Sequence, residues 1–367
     1  MRIELFDFDL PADRIAQRPA EPRDASKLLV LDPVTGAIED RVTAELAGLI
    51  APGSVLVVND TRVIPARLMG RKARTGGKVE ILLVRKVQDE SVVVDGVRVA
   101  AERWKAMGKA SKPLKIPSHV LVGDTLLVVL DRKSERDGLL EVLLTTTDGE
   151  PVEAVVRRVG HVPLPPYIRR EDDATDAARY QTVFARADGA VAAPTAGLHL
   201  TNRLLGALSE RGVKVATVTL HVGPGTFQPV QVEDLDAHQM HEEWYEVPLY
   251  TAREIDAARD RGSPVVAVGT TSVRALESAA DPERPGRVRA MSGSTALLIQ
   301  PGYGFRVVDA VLTNFHLPRS TLLALVSAFA GRERVMEAYA HAVAKEYRFY
   351  SYGDAMFLRR RGELGVA

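Results

Sequence analysis

The chain has 367 residues, no cysteine, and 48 basic against 48 acidic side chains, so its formal net charge is zero. Its length predicts two or three domains, and an apolar fraction of 46% is enough for a sizeable core. The absence of cysteine excludes disulfides, thiolate zinc sites and iron–sulfur clusters, and with them the cluster-based radical enzymes.

The sequence predicts no membrane segment. Residues 1–4 lack the apolar core of a signal peptide, and the longest apolar stretch, Leu322–Ala330, is too short to cross a bilayer. Together with the lack of cysteine, this predicts a cytoplasmic protein. We expect a monomer.

The charges are distributed unevenly along the chain. Residues 62–115 contain fourteen Lys or Arg and five Asp or Glu, a balance that favours binding to a polyanion. Between Lys214 and Arg253 there is no basic residue and there are six acidic ones, which favours a cationic ligand.

The first sixty residues have the pattern of an α/β layer. Leu28–Leu31 and Val55–Val58 are predicted strands, and Thr43–Ile50 is predicted as a helix capped by its threonine. From residue 62 to residue 147, short strand-like segments alternate with turn residues and no long helical pattern occurs. We therefore expect a small all-β, barrel-like domain (62–147) inserted into an α/β domain with a mixed sheet (1–61 and 148–367).

Helical patterns return after residue 150. Asp176–Arg186 is predicted as a helix, and Thr201 is predicted to cap another whose apolar face contains Leu204 and Leu208.

Three strands in the second half of the chain are each followed by polar residues. The strand 215–222 ends at His221 and a Gly-Pro-Gly-Thr loop, 264–268 precedes Gly269-Thr270-Thr271-Ser272, and 307–312 precedes Asn314 and His316. Because the carboxyl ends of strands in such a layer share one edge, these loops are predicted to form one ligand site. A helix that begins at Thr270 would present free N–H groups to an anion, although an ordinary N-cap explains the same residues.

These segments occur with others in an order typical of one family. The residues concerned are 59–67, 160–167, 180–185, 193–199, 221–223, 238–244, 269–274 and 313–320. From Phe6 to about Phe357, the chain resembles the S-adenosylmethionine:tRNA ribosyltransferase-isomerases of queuosine synthesis. Pro224 and Gln300 depart from the family pattern, and Pro224 removes one N–H group from the glycine loop.

The resemblance implies a reaction and its partners. Members of this family transfer the ribosyl group of S-adenosylmethionine to 7-aminomethyl-7-deazaguanine at the tRNA wobble position. They isomerise it to give epoxyqueuosine, and release adenine and methionine. S-adenosylmethionine would then be a consumed co-substrate, the partner a tRNA with that base in its anticodon, and no metal would be required. The family architecture, an α/β domain with an inserted β-barrel, agrees with the pattern above.

Candidate site residues follow from the loops and from the resemblance. His221 is predicted as a general base because an imidazole with a pKa of about 6.5 accepts a proton near neutral pH. Glu243 is predicted as an acidic partner of the sulfonium or of a histidine. The predicted ligand-binding residues are Thr195, Gly197, His199, Gly223, Gly225, Thr226, Thr270, Thr271, Ser272, Arg274, Asn314 and His316.

Each of these assignments has a structural alternative. The histidines also fit structural hydrogen bonding, Glu243 also fits a solvated surface, and Arg274 fits an ordinary ion pair as well as a carboxylate or phosphate ligand.

Basic residues in two regions are predicted to contact RNA. They are Arg62, Arg67, Lys105, Lys109, Lys112, Arg169 and Arg170. Three of them belong to residues 104–115, which are predicted to form a basic loop with one aromatic residue.

Two other functions stay open. A non-catalytic tRNA-binding protein would explain the basic segment but not the polar loops. A metal-dependent hydrolase would use His238 and His241, which are incomplete as a zinc site without a third ligand.

Overall fold

The computed structural model describes residues 1–94, 96–134, 138–223, 230 and 232–360. Its strands are β1 (Lys27–Leu31), β2 (Ile38–Val42), β3 (Val55–Asn59), β4 (Thr61–Val63), β5 (Arg67–Lys72), β6 (Lys78–Val94), β7 (Val97–Ala110), β8 (Ser118–Val122), β9 (Leu126–Lys133), β10 (Leu140–Thr146), β11 (Ala187–Ala190), β12 (Lys214–Leu220), β13 (Glu243–Val247), β14 (Val265–Val268), β15 (Met291–Thr295), β16 (Ala310–Asn314) and β17 (Ala355–Arg359). Its α-helices are α1 (Leu46–Leu49), α2 (Val152–Val159), α3 (Asp176–Arg179), α4 (Asn202–Glu210), α5 (Leu249–Asp260), α6 (Thr270–Ser278), α7 (Thr321–Ala330) and α8 (Arg332–Ala344).

The larger sheet has nine strands in the order β15-β13-β12-β3-β14-β16-β17-β1-β2. Its central strands β12, β3, β14 and β16 run parallel to one another, whereas β13, β15 and β2 pair antiparallel with their neighbours. This confirms the predicted α/β architecture with a mixed sheet.

Helices cover both faces of this sheet. Val55 and Val57 of β3 point into a core shared with α5 to α8, while Leu56 and Val58 point into a second core shared with α1 and α4. A strand that is buried on both faces needs apolar residues at every position, which explains the continuous apolar run of β3.

The second sheet contains six antiparallel strands in the order β10-β7-β6-β5-β8-β9, and β10 also pairs with β9, so the sheet closes on itself. It encloses a separate core. Helix α2 adds Val152, Val155 and Val156 to this core, although the helix lies beyond residue 147, the predicted end of the inserted domain. The chain enters this sheet beside the segment that follows α2. There the Arg67 N–H donates to the His161 carbonyl (3.2 Å) and the His161 N–H donates to the Arg67 carbonyl (2.8 Å).

Two local predictions are wrong. Residues 104–110 are not a loop but part of β7, which is paired with β6 on one side and β10 on the other. The helix predicted over 176–186 is only the single turn α3, which ends at Arg179. The Asp176 carboxylate at its start is buried and accepts hydrogen bonds from Arg170 and Tyr352.

Of the two predicted capping threonines, one is a cap and the other is not. Thr201 caps α4 as predicted, since its hydroxyl accepts a hydrogen bond from the Leu204 N–H at 3.1 Å. Thr43 is no cap: it begins a 3₁₀ turn, and its hydroxyl lies 2.8 Å from Ser26 Oγ in the core. In the described ranges, no helix combines the length and apolarity needed to cross a membrane.

Candidate active site

A cleft of about 2180 Å³ lies between the closed sheet and the carboxyl edge of the nine-stranded sheet. The nine-stranded side contributes His221, Gly223, Glu243, Trp244, Thr270, Thr271 and Arg274, and the closed sheet contributes Trp104, Lys105, Lys109 and Lys112. A cavity of about 70 Å³ adjoins it and is lined by Thr195, Thr270, Thr271, Asn314 and His316. The polar residues that follow β12, β14 and β16 therefore do meet at one edge.

His221 directly follows β12 and is held on several sides. Its ring stacks on Trp244, with centroids 5.2 Å apart and planes inclined by 21°. Its Nδ1 lies 2.8 Å from the Thr61 hydroxyl oxygen. Burial lowers the pKa of His221, and the nearby carboxylates of Asp60 and Asp188 oppose that shift. The ring is therefore neutral near pH 7 and can accept a proton.

Glu243 and Arg274 form a buried ion pair between β13 and α6. The Glu243 carboxylate also accepts a hydrogen bond from the Gly223 N–H at 3.2 Å. Arg274 Nε donates to the Leu297 carbonyl at 3.0 Å. Both side chains line the cleft, but their charges neutralise each other. Of the two roles considered for Arg274, the structure therefore shows the ion pair with a protein carboxylate.

Helix α6 begins at the boundary between the cleft and the smaller cavity. Gly269 precedes it with a φ of 85°, a conformation that favours glycine, and the free N–H groups of the first turn follow. Thr270 and Thr271 line both spaces. The structure does not support the predicted ligand contact by Ser272. This residue is fully buried, and its hydroxyl donates to the Val268 carbonyl at 2.7 Å.

The other two predicted histidines are buried and internally hydrogen-bonded. His199 Nε2 accepts from the Asn314 amide at 3.1 Å, and its Nδ1 lies 2.8 Å from Ser26 Oγ. His316 Nε2 lies 2.9 Å from the Thr313 hydroxyl. Burial lowers the pKa of both rings to about 3, so both are neutral. His199 therefore has the structural hydrogen-bonding role that was the alternative to ligand binding. His316, in contrast, lines the smaller cavity.

Thr195 and Asn314 both line the smaller cavity and are joined to each other. The Thr195 hydroxyl donates to the Asn314 side-chain oxygen at 3.2 Å. The Asn314 amide also donates to the Tyr350 carbonyl at 3.1 Å, which fixes its orientation.

The predicted glycines have different roles. A Cβ at Gly197 would lie 2.8 Å from the Phe184 ring, so this glycine allows close packing there. Gly223 has open space around the position of a Cβ, and its N–H is used by Glu243. Gly225 and Thr226 lie outside the described residues.

Four of the predicted RNA-binding residues are exposed. Lys109 and Lys112 line the cleft, whereas Arg62 and Arg169 are exposed elsewhere.

The structure corrects the expectation of an available cation at three other positions. Lys105 is only 8% exposed and pairs with Glu141 at 2.9 Å. Arg67 pairs with Glu80 at 3.0 Å, and Arg170 holds the buried Asp176 with two hydrogen bonds. Lys105 was misjudged because residues 104–110 are a paired strand, which turns alternate side chains inward.

The sequence patterns did not single out Asn59 at the end of β3 or Asp60 and Thr61 just after it, beyond placing 59–67 in the family resemblance. Asn59, Asp60 and Thr61 are buried beneath the site. The Asn59 side-chain oxygen accepts from the Leu220 and Thr61 N–H groups, each at 3.1 Å, and the Asp60 carboxylate accepts from Thr219 at 2.6 Å. The available signal was their position directly after the apolar run Val55–Val58, the same criterion that selected His221.

The histidines that suggested a metal site also lie in this cleft. His238 and His241 are part of its lining. Across the part of the chain that the structure describes, no group of three or more His, Cys, Asp or Glu is placed to hold a metal ion.

Comparison with known proteins agrees along the whole chain. The family model described as "Queuosine biosynthesis protein" matches residues 3–358. A protein of Sorangium cellulosum (strain So ce56) named S-adenosylmethionine:tRNA ribosyltransferase-isomerase is 55% identical over 98% of this chain and 99% of its own. A protein of the same name from Anaeromyxobacter dehalogenans (strain 2CP-C) is also 55% identical, over 98% of this chain and 100% of its own.

A solved structure agrees as well. The crystal structure of S-adenosylmethionine tRNA ribosyltransferase from Thermotoga maritima is 36% identical in sequence and superposes with a TM-score of 0.53, covering 96% of this chain and 99% of that one. On these similarities, the chain belongs to the S-adenosylmethionine:tRNA ribosyltransferase-isomerase family of queuosine biosynthesis.

Proposed function

We propose that this chain transfers the ribosyl group of S-adenosylmethionine to 7-aminomethyl-7-deazaguanine in the anticodon of a tRNA and isomerises it to give epoxyqueuosine. The observation that carries the proposal is the composition of one cleft, in a chain of this family. One wall holds the neutral, partly buried His221 and the start of helix α6, and the other wall holds exposed lysines.

The start of α6 suits the methionine carboxylate of S-adenosylmethionine. Its first-turn N–H groups and the hydroxyls of Thr270 and Thr271 are donors, and the helix dipole favours a negative charge at this end. Arg274 is not needed as a direct ligand, because its charge is compensated by Glu243. Glu242 lines the same cleft and favours the positive sulfonium.

His221 is the proposed general base. The sulfonium acidifies the C5′ protons of the ribosyl group, and the neutral imidazole accepts one of them, which starts the rearrangement. Adenine and methionine leave later in the reaction. A base that acts in the transition state contributes about 10²–10⁴-fold to the rate.

The closed sheet is proposed to be the barrel-like RNA-binding domain, inserted as residues 62–147 into a catalytic domain of residues 1–61 and 148–367. Support comes from Lys109 and Lys112, which are exposed on the cleft wall opposite His221. Trp104 lies on the same wall and can stack on an unpaired base.

Mass spectrometry of nucleosides tests the proposed function. The protein is incubated with S-adenosylmethionine and a tRNA that bears the deazaguanine precursor, with a guanine-bearing tRNA as the control. We expect epoxyqueuosine, adenine and methionine from the first tRNA only. Methyl transfer with S-adenosylhomocysteine, or activity that a chelator abolishes and zinc restores, would contradict the proposal.

A further inference from the structure

The Thr61 hydroxyl has two neighbours with different hydrogen-bonding capacities. It lies 2.8 Å from His221 Nδ1 and 3.4 Å from the carbonyl oxygen of Ala187. A carbonyl oxygen can only accept, so when the hydroxyl donates its proton to Ala187, a lone pair of the hydroxyl oxygen is left to accept the proton on Nδ1. This arrangement leaves Nε2 of the neutral ring without a proton.

The position of Thr61 is itself fixed by the backbone. Thr61 and Ala187 are partners in the parallel pair of β4 and β11, and the Thr61 N–H donates to the Asn59 side chain at 3.1 Å. The hydroxyl and the carbonyl are therefore brought together by strand pairing.

The ring of His221 is also confined in space. Trp244 stacks on it, and Gly189, with a φ of 142°, lies so close that a Cβ there would be 2.9 Å from Cε1 and 3.0 Å from Nε2. Among the described residues, no hydrogen-bond partner is found for Nε2, and His221 lines the cleft. Nε2 is thus the ring nitrogen left for a substrate.

We propose that Thr61 is a positioning residue that selects the Nδ1–H tautomer of His221, so that Nε2 is the atom that accepts the substrate proton. Gly189 leaves the space that the ring needs. The assignment of the tautomer rests on the geometry alone, and its catalytic consequence rests on the proposed function of His221.

Nitrogen NMR of protein labelled with ¹⁵N-histidine tests the tautomer directly. The His221 signals are assigned as those missing from His221→Gln, and the spectrum is recorded near pH 7.5 without substrate. We expect the wild-type spectrum to show a protonated Nδ1 and an unprotonated Nε2. A protonated Nε2 in the wild-type protein would overturn the proposal, whatever the activity of any variant.

Two substitutions of Thr61 extend the test to turnover. Thr61→Val keeps the shape of the side chain and removes the hydroxyl, so we expect mixed tautomers and a kcat about tenfold lower, with the KM values unchanged. Thr61→Ser keeps the hydroxyl and should restore both. A Thr61→Val protein with the wild-type tautomer and kcat would overturn the proposal.

The outcomes separate this inference from the proposed function. If the wild type has the Nδ1–H tautomer and Thr61→Val loses it, but His221→Gln keeps full turnover, the tautomer assignment is supported and His221 is not the base. Gly189→Ala gives an independent variant, because its methyl group would displace the ring while the Thr61 hydroxyl stays in place. We expect this variant to lower kcat as well.

Discussion

Glu243 of β13 and Arg274 of α6 form an ion pair in which both side chains are buried. The pair joins a strand beside the cleft to the helix whose first turn faces the cleft. Glu243 also holds the N–H of Gly223, two residues after His221. One carboxylate thus ties three parts of the site together: β13, α6 and the loop that follows His221.

Removing the charge of Glu243 should destabilise the fold. Glu243→Gln leaves the Arg274 guanidinium buried without a counter-charge, and breaking a buried pair in this way costs about 3–5 kcal/mol. Urea unfolding measures the loss. The double variant Glu243→Gln with Arg274→Met should recover part of it, because no buried charge is left. A single variant as stable as the wild type would show that the pair does not hold these elements together.

His221 should matter for turnover and little for stability. His221→Gln is expected to lower kcat by about 10²–10⁴-fold while the melting temperature stays close to that of the wild type. His119→Gln is the control, since His119 is exposed and outside the cleft. A structural role would instead appear as a lower melting temperature with a modest loss of rate.

The exposed lysines of the closed sheet should dominate the salt dependence of tRNA binding. Changing Lys109 and Lys112 together to Ala is expected to weaken binding and to reduce the slope of log affinity against log salt by about 1–2, through fewer released counterions. Binding of S-adenosylmethionine should be unchanged.

The matched control for the lysine pair changes Arg74 and Lys78 to Ala. These residues are exposed on the same sheet but do not line the cleft, and the charge change is identical. Equal weakening by both pairs would show that only total charge matters, and would contradict a binding surface at the cleft.

Stability should fall between pH 6.5 and pH 5 because of two buried histidines. Burial holds the pKa of His199 and His316 at about 3 in the folded protein, whereas an unfolded histidine has a pKa of about 6.5. In this interval the unfolded chain binds more protons, so the stability that the neutral rings provide is fully present above pH 6.5 and is lost as the pH falls.

The expected loss of unfolding free energy over this interval is about 3 kcal/mol for the two rings together. Urea unfolding at several pH values measures it. His199→Gln should roughly halve the slope. Aspartates with a lowered pKa, such as Asp24 and Asp176, change the unfolding free energy only in more acidic solution. An unfolding free energy that stays constant between pH 6.5 and pH 5 would therefore contradict the prediction.

Sequence patterns predicted the parts of this fold that depend on local chemistry. Val55–Val58 had to be a buried strand because it has no polar face, and Thr201 had to cap a helix because its hydroxyl precedes an apolar period. The meeting of His221, Thr270 and Asn314 followed from strand direction, since side chains at the carboxyl ends of neighbouring strands share one edge.

The remaining features depend on contacts between distant residues. Nothing near Glu243 in the sequence shows that its partner is Arg274, and nothing near Lys105 shows that Glu141 lies beside it. Likewise, nothing near Asp176 in the sequence shows that Tyr352 lies beside its carboxylate. Charge patterns predict which residues are basic or acidic, but tertiary pairing decides which of those charges are available to a ligand.

The reciprocal hydrogen bonds between Arg67 and His161 have a consequence for how this protein can change in evolution. Because the chain enters the closed sheet beside the segment that follows α2, residues added to or removed from the distant turns of this sheet, such as the one near Gly76, alter no spacing between β12, β3 and β14. The turns of the closed sheet can therefore diverge in length and charge while the strands that hold His221 keep their register.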